Sequence, residues 1–293
     1  MKCGVIGLGA MGAHMARNLH QAGLLTAVWN RSADKATALV AELKGIEQAR
    51  NPAELAQICD VIITCVSRDE DVIGVVEQML PGVQAGAVIC DTSTVSSDTA
   101  RQAAALLTDK KAAFLDCPVS GGVEGARKGT LVTMVGGPAQ ALEKARPALA
   151  AIAANIVHMG DTGAGQATKA VNQLMAAGIN QAVTEALAFG ESLGLDADKM
   201  VDVVAAGAAG NWFVDHRGKT MLKGSFEPGF KLALHHKDLE ICQRMALANT
   251  GISLPLVEMT LLHYRRLMDQ GHGDEDISAL FRLKQQQHRD GPK

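Results

Sequence analysis

Aromatic side chains are scarce: six Phe, two Trp and one Tyr in 293 residues. Surfaces that stack single-stranded bases need more of them. Neither sign of charge dominates. The 28 Lys and Arg set against 31 Asp and Glu leave a net charge of −3. That balance excludes a strongly basic nucleic-acid protein and an acidic disordered tail. No run of eighteen apolar residues occurs, so no membrane span is expected. Cys3, Cys59, Cys65, Cys90, Cys117 and Cys242 include no Cys-x-x-Cys pair, so no zinc site is expected and no metal is called for. Cys3, Cys65, Cys90 and Cys117 fall in apolar runs, where a thiol behaves as a small hydrophobe. Glycines at 4, 7, 9 and 12 interrupt the apolar start, so it does not read as a signal peptide. The expectation is a cytoplasmic protein in a reducing compartment.

What is present is a chain long enough for two domains, 47% hydrophobic. The first half alternates strand and helix periodicity. Strand runs are Cys3–Gly7, Leu25–Asn30, Asp60–Val66, Ala87–Asp91, Ala112–Asp116, Gly129–Val135 and Asn155–Met159. Helical spacing covers Met11–Ala22, Asp34–Leu43, Asp71–Leu80, Ser97–Leu107 and Pro138–Ala153. Wholly apolar strands alternating with helices predict an α/β fold, a doubly wound and mostly parallel sheet covered on both faces. After Gly160 the pattern turns helical: a long helix from Gln166 to Leu193, then Asp198–Ala206, Phe230–Thr250, Pro255–Gln270 and Ile277–Arg282. The expected division is a Rossmann dinucleotide-binding domain over 1–162 and an all-α substrate and oligomerisation domain over 163–293. The polar tail from Gln285 to Lys293 is expected to fray.

Gly7-Leu8-Gly9-Ala10-Met11-Gly12 has the form G-x-G-x-x-G, directly after a strand and opening a helix. In that context Gly7 permits the tight turn, Gly9 lets backbone approach a pyrophosphate, and Gly12 lets helix pack on strand. The helix N-terminus then offers N–H groups to phosphate. The second strand ends Trp29-Asn30-Arg31-Ser32, about 20 residues past the glycines, where an NAD-binding chain places a carboxylate for the ribose. None is there. Arg31 can instead pair with a 2′-phosphate, with Asn30 and Ser32 donating to it, so NADP is expected over NAD.

The run from Val5 to Leu19 closely resembles the N-terminal signature of the β-hydroxyacid dehydrogenases, which include 3-hydroxyisobutyrate dehydrogenases and semialdehyde reductases. Further segments match in order. Asp91-Thr92-Ser93-Thr94 looks like the loop whose threonine reaches the cofactor. Asp116-Cys117-Pro118-Val119-Ser120-Gly121-Gly122 looks like the substrate-binding segment, with Cys117 where Ala is common. Gly163 to Gln173 looks like the start of the catalytic helix, and Lys237-Asp238-Leu239 resembles a late Lys-Asp-Leu. The resemblance implies hydride transfer between a short 3-hydroxy acid and its semialdehyde or oxo acid, in a homodimer or homotetramer. It also brings Val66 and Thr94 into the cofactor set.

Hydride arriving at a carbonyl leaves an alkoxide that must be protonated, which calls for a cation or acid beside that oxygen. Lys169 is the expected general acid and base. Asn172, Gln173 and Asn180 follow it at helical spacing, a polar stripe that either lines a cleft or is a solvated face. Asn172 is expected to position the substrate or orient Lys169; the family often carries Asn one position later, where this chain has Gln173. Ser120, Gly121 and Gly122 are the expected carboxylate clamp, a hydroxyl beside successive glycine amides. Lys237 is expected near the nicotinamide or substrate. Trp212 and Phe213 are expected in the core, with a pocket wall as the alternative, and Arg127 and Lys128 on a solvated loop, with an acidic substrate as theirs. Two other readings remain: imine reduction on the same scaffold, whose members usually lack the lysine, and a non-catalytic NADP-binding sensor.

Overall fold

The computed structural model describes residues 1–289, and two units divide it at Lys169 and Ala170. The first unit runs β1 (Cys3–Ile6), α1 (Gly12–Gln21), β2 (Leu25–Trp29), α2 (Ala33–Glu42), β3 (Glu47–Gln48), α3 (Pro52–Ile58), β4 (Val61–Thr64), α4 (Asp69–Met79), β5 (Val88–Asp91) and α5 (Ser97–Leu107). It continues through β6 (Ala113–Asp116), β7 (Val119–Ser120), α6 (Gly122–Lys128), β8 (Leu131–Gly136), α7 (Ala139–Ile152) and β9 (Ala153–Gly160) into the start of α8 (Ala164–Ser192).

The strands lie in the order β3-β2-β1-β4-β5-β6-β8-β7, with β9 on β8. Pairing is parallel from β3 to β6 and antiparallel where β6 and β7 meet β8. The alternation of Cβ direction along each strand sends neighbours to opposite faces. Val5, Val28, Ile63 and Cys90 enter one core with Met15 and Leu19 of α1 and Leu142 and Leu149 of α7. Ile6, Ala27, Ile62 and Ile89 enter the other with Leu55 of α3, Val76 and Met79 of α4 and Leu107 of α5. Both faces are covered, so β1, β4, β5 and β6 are apolar up to the polar residues Thr64, Asp91 and Asp116 that close the last three. The order of β1 reverses direction against β4, and ligands of such sheets bind beyond the strand carboxyl ends at that reversal. The Gly7–Gly12 loop leaves the sheet there.

The second unit holds the rest of α8 and then α9 (Ala197–Ala206), α10 (Trp212–Leu222), α11 (Leu232–Asn249), α12 (Pro255–Asp269) and α13 (Leu280–Arg289). Its core gathers Leu187, Val214, Leu239, Leu261, Tyr264 and Phe281. No named strand occurs among its described residues.

The structure departs from the sequence expectations where elements are short. β3, α3, β7 and α6 were not foreseen, because two-residue strands and seven-residue helices carry too few positions for a period. α10 was also missed: Trp212 opens it behind an Asn211 cap, with polar residues on most of its faces. Trp212 is a correction. It is 62% exposed, stacked on His216 at 4.3 Å, while Phe213 is buried as expected. Arg127 and Lys128 lie on α6, paired to Glu124, and not on a loop. The tail is helical to Arg289, with Gln285 Nε2 donating to Glu191 at 2.7 Å; residues 290–293 of the expected frayed segment lie outside the described residues.

Candidate active site

The glycine loop has the backbone geometry a dinucleotide requires. Gly7 sits at φ +94°, and a Cβ there would stand 2.2 Å from the Cys65 carbonyl oxygen. A Cβ on Gly12 would stand 1.9 Å from the Gly7 oxygen. A Cβ on Gly9 meets nothing within 4 Å, which leaves the space over that backbone open for a phosphate. Some other helices carry side-chain caps: Asn51 on α3, Ser96 on α5, Asp196 on α9 and Asn211 on α10. The N-terminus of α1 has no capping side chain and no acid in its first turn. Its partial positive charge is therefore unmasked. These residues fit a dinucleotide.

Asn30 is tied into the loop. Its Oδ1 accepts from the Leu8 amide at 2.8 Å and its Nδ2 donates to the Ser32 carbonyl at 2.9 Å. One N–H of that nitrogen braces the turn, and its amide has a second to donate. Arg31 is 84% exposed at its side chain, with Nη1 3.0 Å from Asp71 on α4. An exposed pair of this kind contributes little and is readily exchanged for another anion. Ser32 precedes α2 without making a capping bond.

Below the loop, the ends of β4 and β5 are wired together. Asp91 is wholly buried, and its Oδ1 accepts from Thr64 at 2.6 Å and Ser93 at 2.7 Å. Ser93 Oγ in turn accepts from the Val66 amide at 2.9 Å. The loops bearing Val66 and the half-buried Thr94 are held to one carboxylate. Asp91 Oδ2 has no partner. Burial pushes this carboxyl up to about 6, against the pull of the Thr64 and Ser93 bonds.

The end of β6 anchors the start of α8. Asp116 Oδ1 accepts from the Gly163 amide at 2.8 Å and its Oδ2 from the Gln166 amide at 2.9 Å. A carboxylate under a helix N-terminus satisfies orphan donors and complements the dipole. Burial raises this carboxyl, and those amides oppose the rise. Gln166 adds a second tie: its Nε2 donates to the Ser93 carbonyl at 2.8 Å and its Oε1 accepts from Val95 at 3.2 Å. Close packing requires Gly165, since a Cβ there would lie 2.4 Å from the Met134 oxygen and 2.6 Å from that of Asp116.

One turn on, Lys169 is 7% exposed and its Nζ donates to the Val119 carbonyl at 2.9 Å. Val119 is the residue before Ser120, so the ammonium stands beside the Ser120-Gly121-Gly122 segment. Gly121 at φ +125° and Gly122 at φ +60° occupy backbone that other residues rarely adopt. Lys169 and that segment are therefore brought together within the first unit.

Within the second unit, Asn172 Nδ2 donates to Gln173 Oε1 at 2.8 Å, and Gln173 Nε2 donates to Asp238 Oδ2 at 2.6 Å. Lys237 Nζ lies 3.0 Å from Asp238 Oδ1. The polar stripe of α8 is not a solvated face. Gln173 and Asn180 are buried, and Asn180 donates to the Tyr264 hydroxyl at 2.9 Å and to the Ile277 carbonyl at 2.8 Å. His235 Nδ1 meets the same hydroxyl at 3.0 Å. Sequence reasoning quoted Asp91, Asp116 and Gln166 within motifs but gave them no role. A carboxylate closing an apolar strand was the available signal, since one buried there must be hydrogen-bonded. Cys3 and Cys59 are not nucleophile candidates: burial pushes their thiols up to about 12. Among the described residues no group of three His, Cys, Asp or Glu could hold a metal ion.

Because Asp91 is raised in the fold above its ordinary 3.8, its contribution to stability is fully present below about pH 4 and is lost as pH rises through about 6. Asp91→Asn keeps an oxygen for Thr64 and Ser93 and removes the titration. The stability of the variant relative to the parent, measured by urea unfolding, is expected to increase from pH 4 to pH 7.5 by on the order of 2–3 kcal/mol. A difference independent of pH would contradict the assignment.

Comparison with known proteins agrees with this geometry. Residues 2–160 match the NAD binding domain of 6-phosphogluconate dehydrogenase. Residues 163–284 match the NAD-binding domain of NADP-dependent 3-hydroxyisobutyrate dehydrogenase. An uncharacterised oxidoreductase of Shewanella frigidimarina is 38% identical over 96% of this chain and 97% of its own. An NAD-dependent L-serine dehydrogenase of Pseudomonas aeruginosa is 35% identical over 95% of this chain and 96% of its own. A solved structure of Mycobacterium tuberculosis 3-hydroxyisobutyrate dehydrogenase with L-serine superimposes with a TM-score of 0.87, at 33% identity, covering 96% of this chain and 98% of that one. No described helix is long and apolar enough to cross a membrane. A nucleotide-ready glycine loop on a Rossmann sheet, a buried lysine at the start of a long helix and end-to-end similarity place the chain in the β-hydroxyacid dehydrogenase family of NAD(P)-dependent oxidoreductases.

Proposed function

We propose that this protein interconverts a short 3-hydroxy acid and its semialdehyde or oxo acid, with NADP preferred over NAD and Lys169 as the proton donor and acceptor. The observation that carries the reading is the buried Lys169 ammonium, held by the Val119 carbonyl beside Ser120-Gly121-Gly122. The nicotinamide, when bound, supplies or takes the hydride at the carbonyl carbon.

The chain's own residues do the rest. Lys169 Nζ donates to the substrate carbonyl oxygen and gives it a proton as negative charge develops there. In oxidation the same nitrogen takes the alcohol proton. The Ser120 hydroxyl and the amides of Gly121 and Gly122 grip the substrate carboxylate. Asn172 positions the substrate, and Lys237 contributes a second cation for substrate or cofactor. The amides from Gly7 to Gly12 receive the pyrophosphate, and Val66 and Thr94 border the nicotinamide half. Arg31 and Ser32 take the 2′-phosphate; the preference for NADP rests on them and on the lack of a carboxylate at the end of β2. A homo-oligomer working in the cytoplasm completes the reading.

The test is turnover of NADPH and NADH with a panel of short semialdehydes and glyoxylate, and of NADP+ and NAD+ with serine and 3-hydroxyisobutyrate. Alcohol formation is expected, with NADPH ahead of NADH. Lys169→Ala should lower kcat by about 100- to 10,000-fold. A variant that keeps most of its turnover, or an amine product when ammonia is added to the panel, would overturn the lysine chemistry. Arg31→Ala should weaken NADPH by about tenfold or more and leave NADH unchanged, the loss of one charge-assisted contact. Equal effects on both cofactors would remove Arg31 from the phosphate site.

A further inference from the structure

We infer that Asp238 and Gln173 are positioning residues that set the orientation of the Asn172 amide, so that Asn172 offers its oxygen to a substrate hydrogen-bond donor. The inference rests on the proposed reading of Asn172 as substrate-facing.

The argument is one of polarity. An ionised carboxylate can only accept hydrogen bonds. The Gln173 atom 2.6 Å from Asp238 Oδ2 is therefore its nitrogen, and the Gln173 oxygen must point the other way. That oxygen can only accept, so the Asn172 atom 2.8 Å from it is also nitrogen. The charge on Asp238 thereby aligns two amide dipoles in series, and Asn172 Oδ1 is the acceptor end. An isolated surface Asn is free to turn over; this one is not.

The chain is fixed at several points. Gln173 is 2% exposed and Asp238 4%. His235 Nε2 lies 3.3 Å from the Gln173 backbone carbonyl, and its Nδ1 faces the Tyr264 hydroxyl. Since Asn180 Nδ2 donates to that hydroxyl, the phenol proton goes to Nδ1, and Nε2–H donates to Gln173. The helix is thus pinned at the residue that carries the relay. Lys237 on the other oxygen of Asp238 joins the same unit, 3.0 Å away. Glutamine suits this position because its extra methylene spans from α8 to the carboxylate on α11, while Asn172 keeps the position one residue earlier.

An acceptor oxygen held in this way fits a hydroxyl donor. In the alcohol form of the substrate, the reacting hydroxyl or a second one supplies it. In the aldehyde form, only a hydrate or an additional hydroxyl does. Substrates bearing a further hydroxyl near the carbonyl should therefore be favoured over those with a methyl in its place.

A double-mutant cycle read on kcat tests this. Gln173→Met matches the length and bonds to neither partner. It is expected to lower kcat and raise substrate KM by about tenfold together in kcat/KM, the coupling typical of one hydrogen-bond network. NADPH affinity by fluorescence titration should be unchanged. In an Asn172→Ala background the same substitution should add less than about twofold, because Gln173 acts through Asn172. Asp238→Asn, whose amide can present either end, should cost less than Gln173→Met in the parent and should add at most a twofold loss in Asn172→Ala. Full additivity of Gln173→Met with Asn172→Ala overturns the inference, as does a Gln173→Met enzyme with parental kcat/KM. Should Gln173→Met fold poorly, Gln173→Asn, polar and one methylene short, takes its place in the cycle. A wild-type Asn172→Ala would instead overturn the reading of Asn172 itself. An impaired Asn172→Ala with an indifferent Gln173→Met overturns only the relay.

Discussion

The Asp116 carboxylate beneath the start of α8 is the interaction on which the rest of the site depends. Its two oxygens take the Gly163 and Gln166 amides, and that fixes where the helix begins. A helix begun elsewhere would present a different residue to the Val119 carbonyl, because each step rotates the side chain by roughly 100°. The lysine is therefore placed by a carboxylate it does not touch. Gly165 permits the approach, since only a residue without Cβ fits between the Met134 and Asp116 carbonyls. Gln166 then ties the same turn to the Ser93–Val95 loop.

A buried carboxylate is costly unless it is hydrogen-bonded. Asp116 and Asp91 close neighbouring parallel strands, register partners in the ladder. Both are raised by burial, yet they differ in how they are satisfied. Asp116 has an amide on each oxygen and fixes a helix. Asp91 spends one oxygen on two hydroxyls and leaves the other without a partner. The loops after β4 and β5 meet at that second group. Two carboxylates at the strand ends thus organise the two loops and the helix that face the cofactor end of the sheet.

Much of this was legible in the sequence for physical reasons. Strands buried on both faces are apolar along most of their length, so β1, β4, β5 and β6 stood out as runs. Gly7 and Gly12 were legible because each is demanded by backbone clearance, and Gly9 because a pyrophosphate must approach its backbone. What escaped is as informative. β7 and α6 are too short for a period, although they carry Ser120 and Gly122. Composition shows the two donors of Asn30 but not that the Ser32 carbonyl takes one of them. The stripe of Asn and Gln on α8 read as a cleft lining or a solvated face. Its burial could not be seen, because the partners Asp238, Tyr264 and Ile277 stand 65 to 97 residues away. Long-range hydrogen bonds leave no periodic mark.

The most direct test of this account is the kcat of Asp116→Asn beside its NADPH dissociation constant, with the fold checked by circular dichroism. An amide offers one acceptor oxygen where two amides require two. The helix start is then free to shift and the lysine is misplaced. The account predicts kcat lower by about a hundredfold, with NADPH binding intact because the glycine loop is unaffected. A folded Asp116→Asn protein that turns over at the parental rate would contradict it.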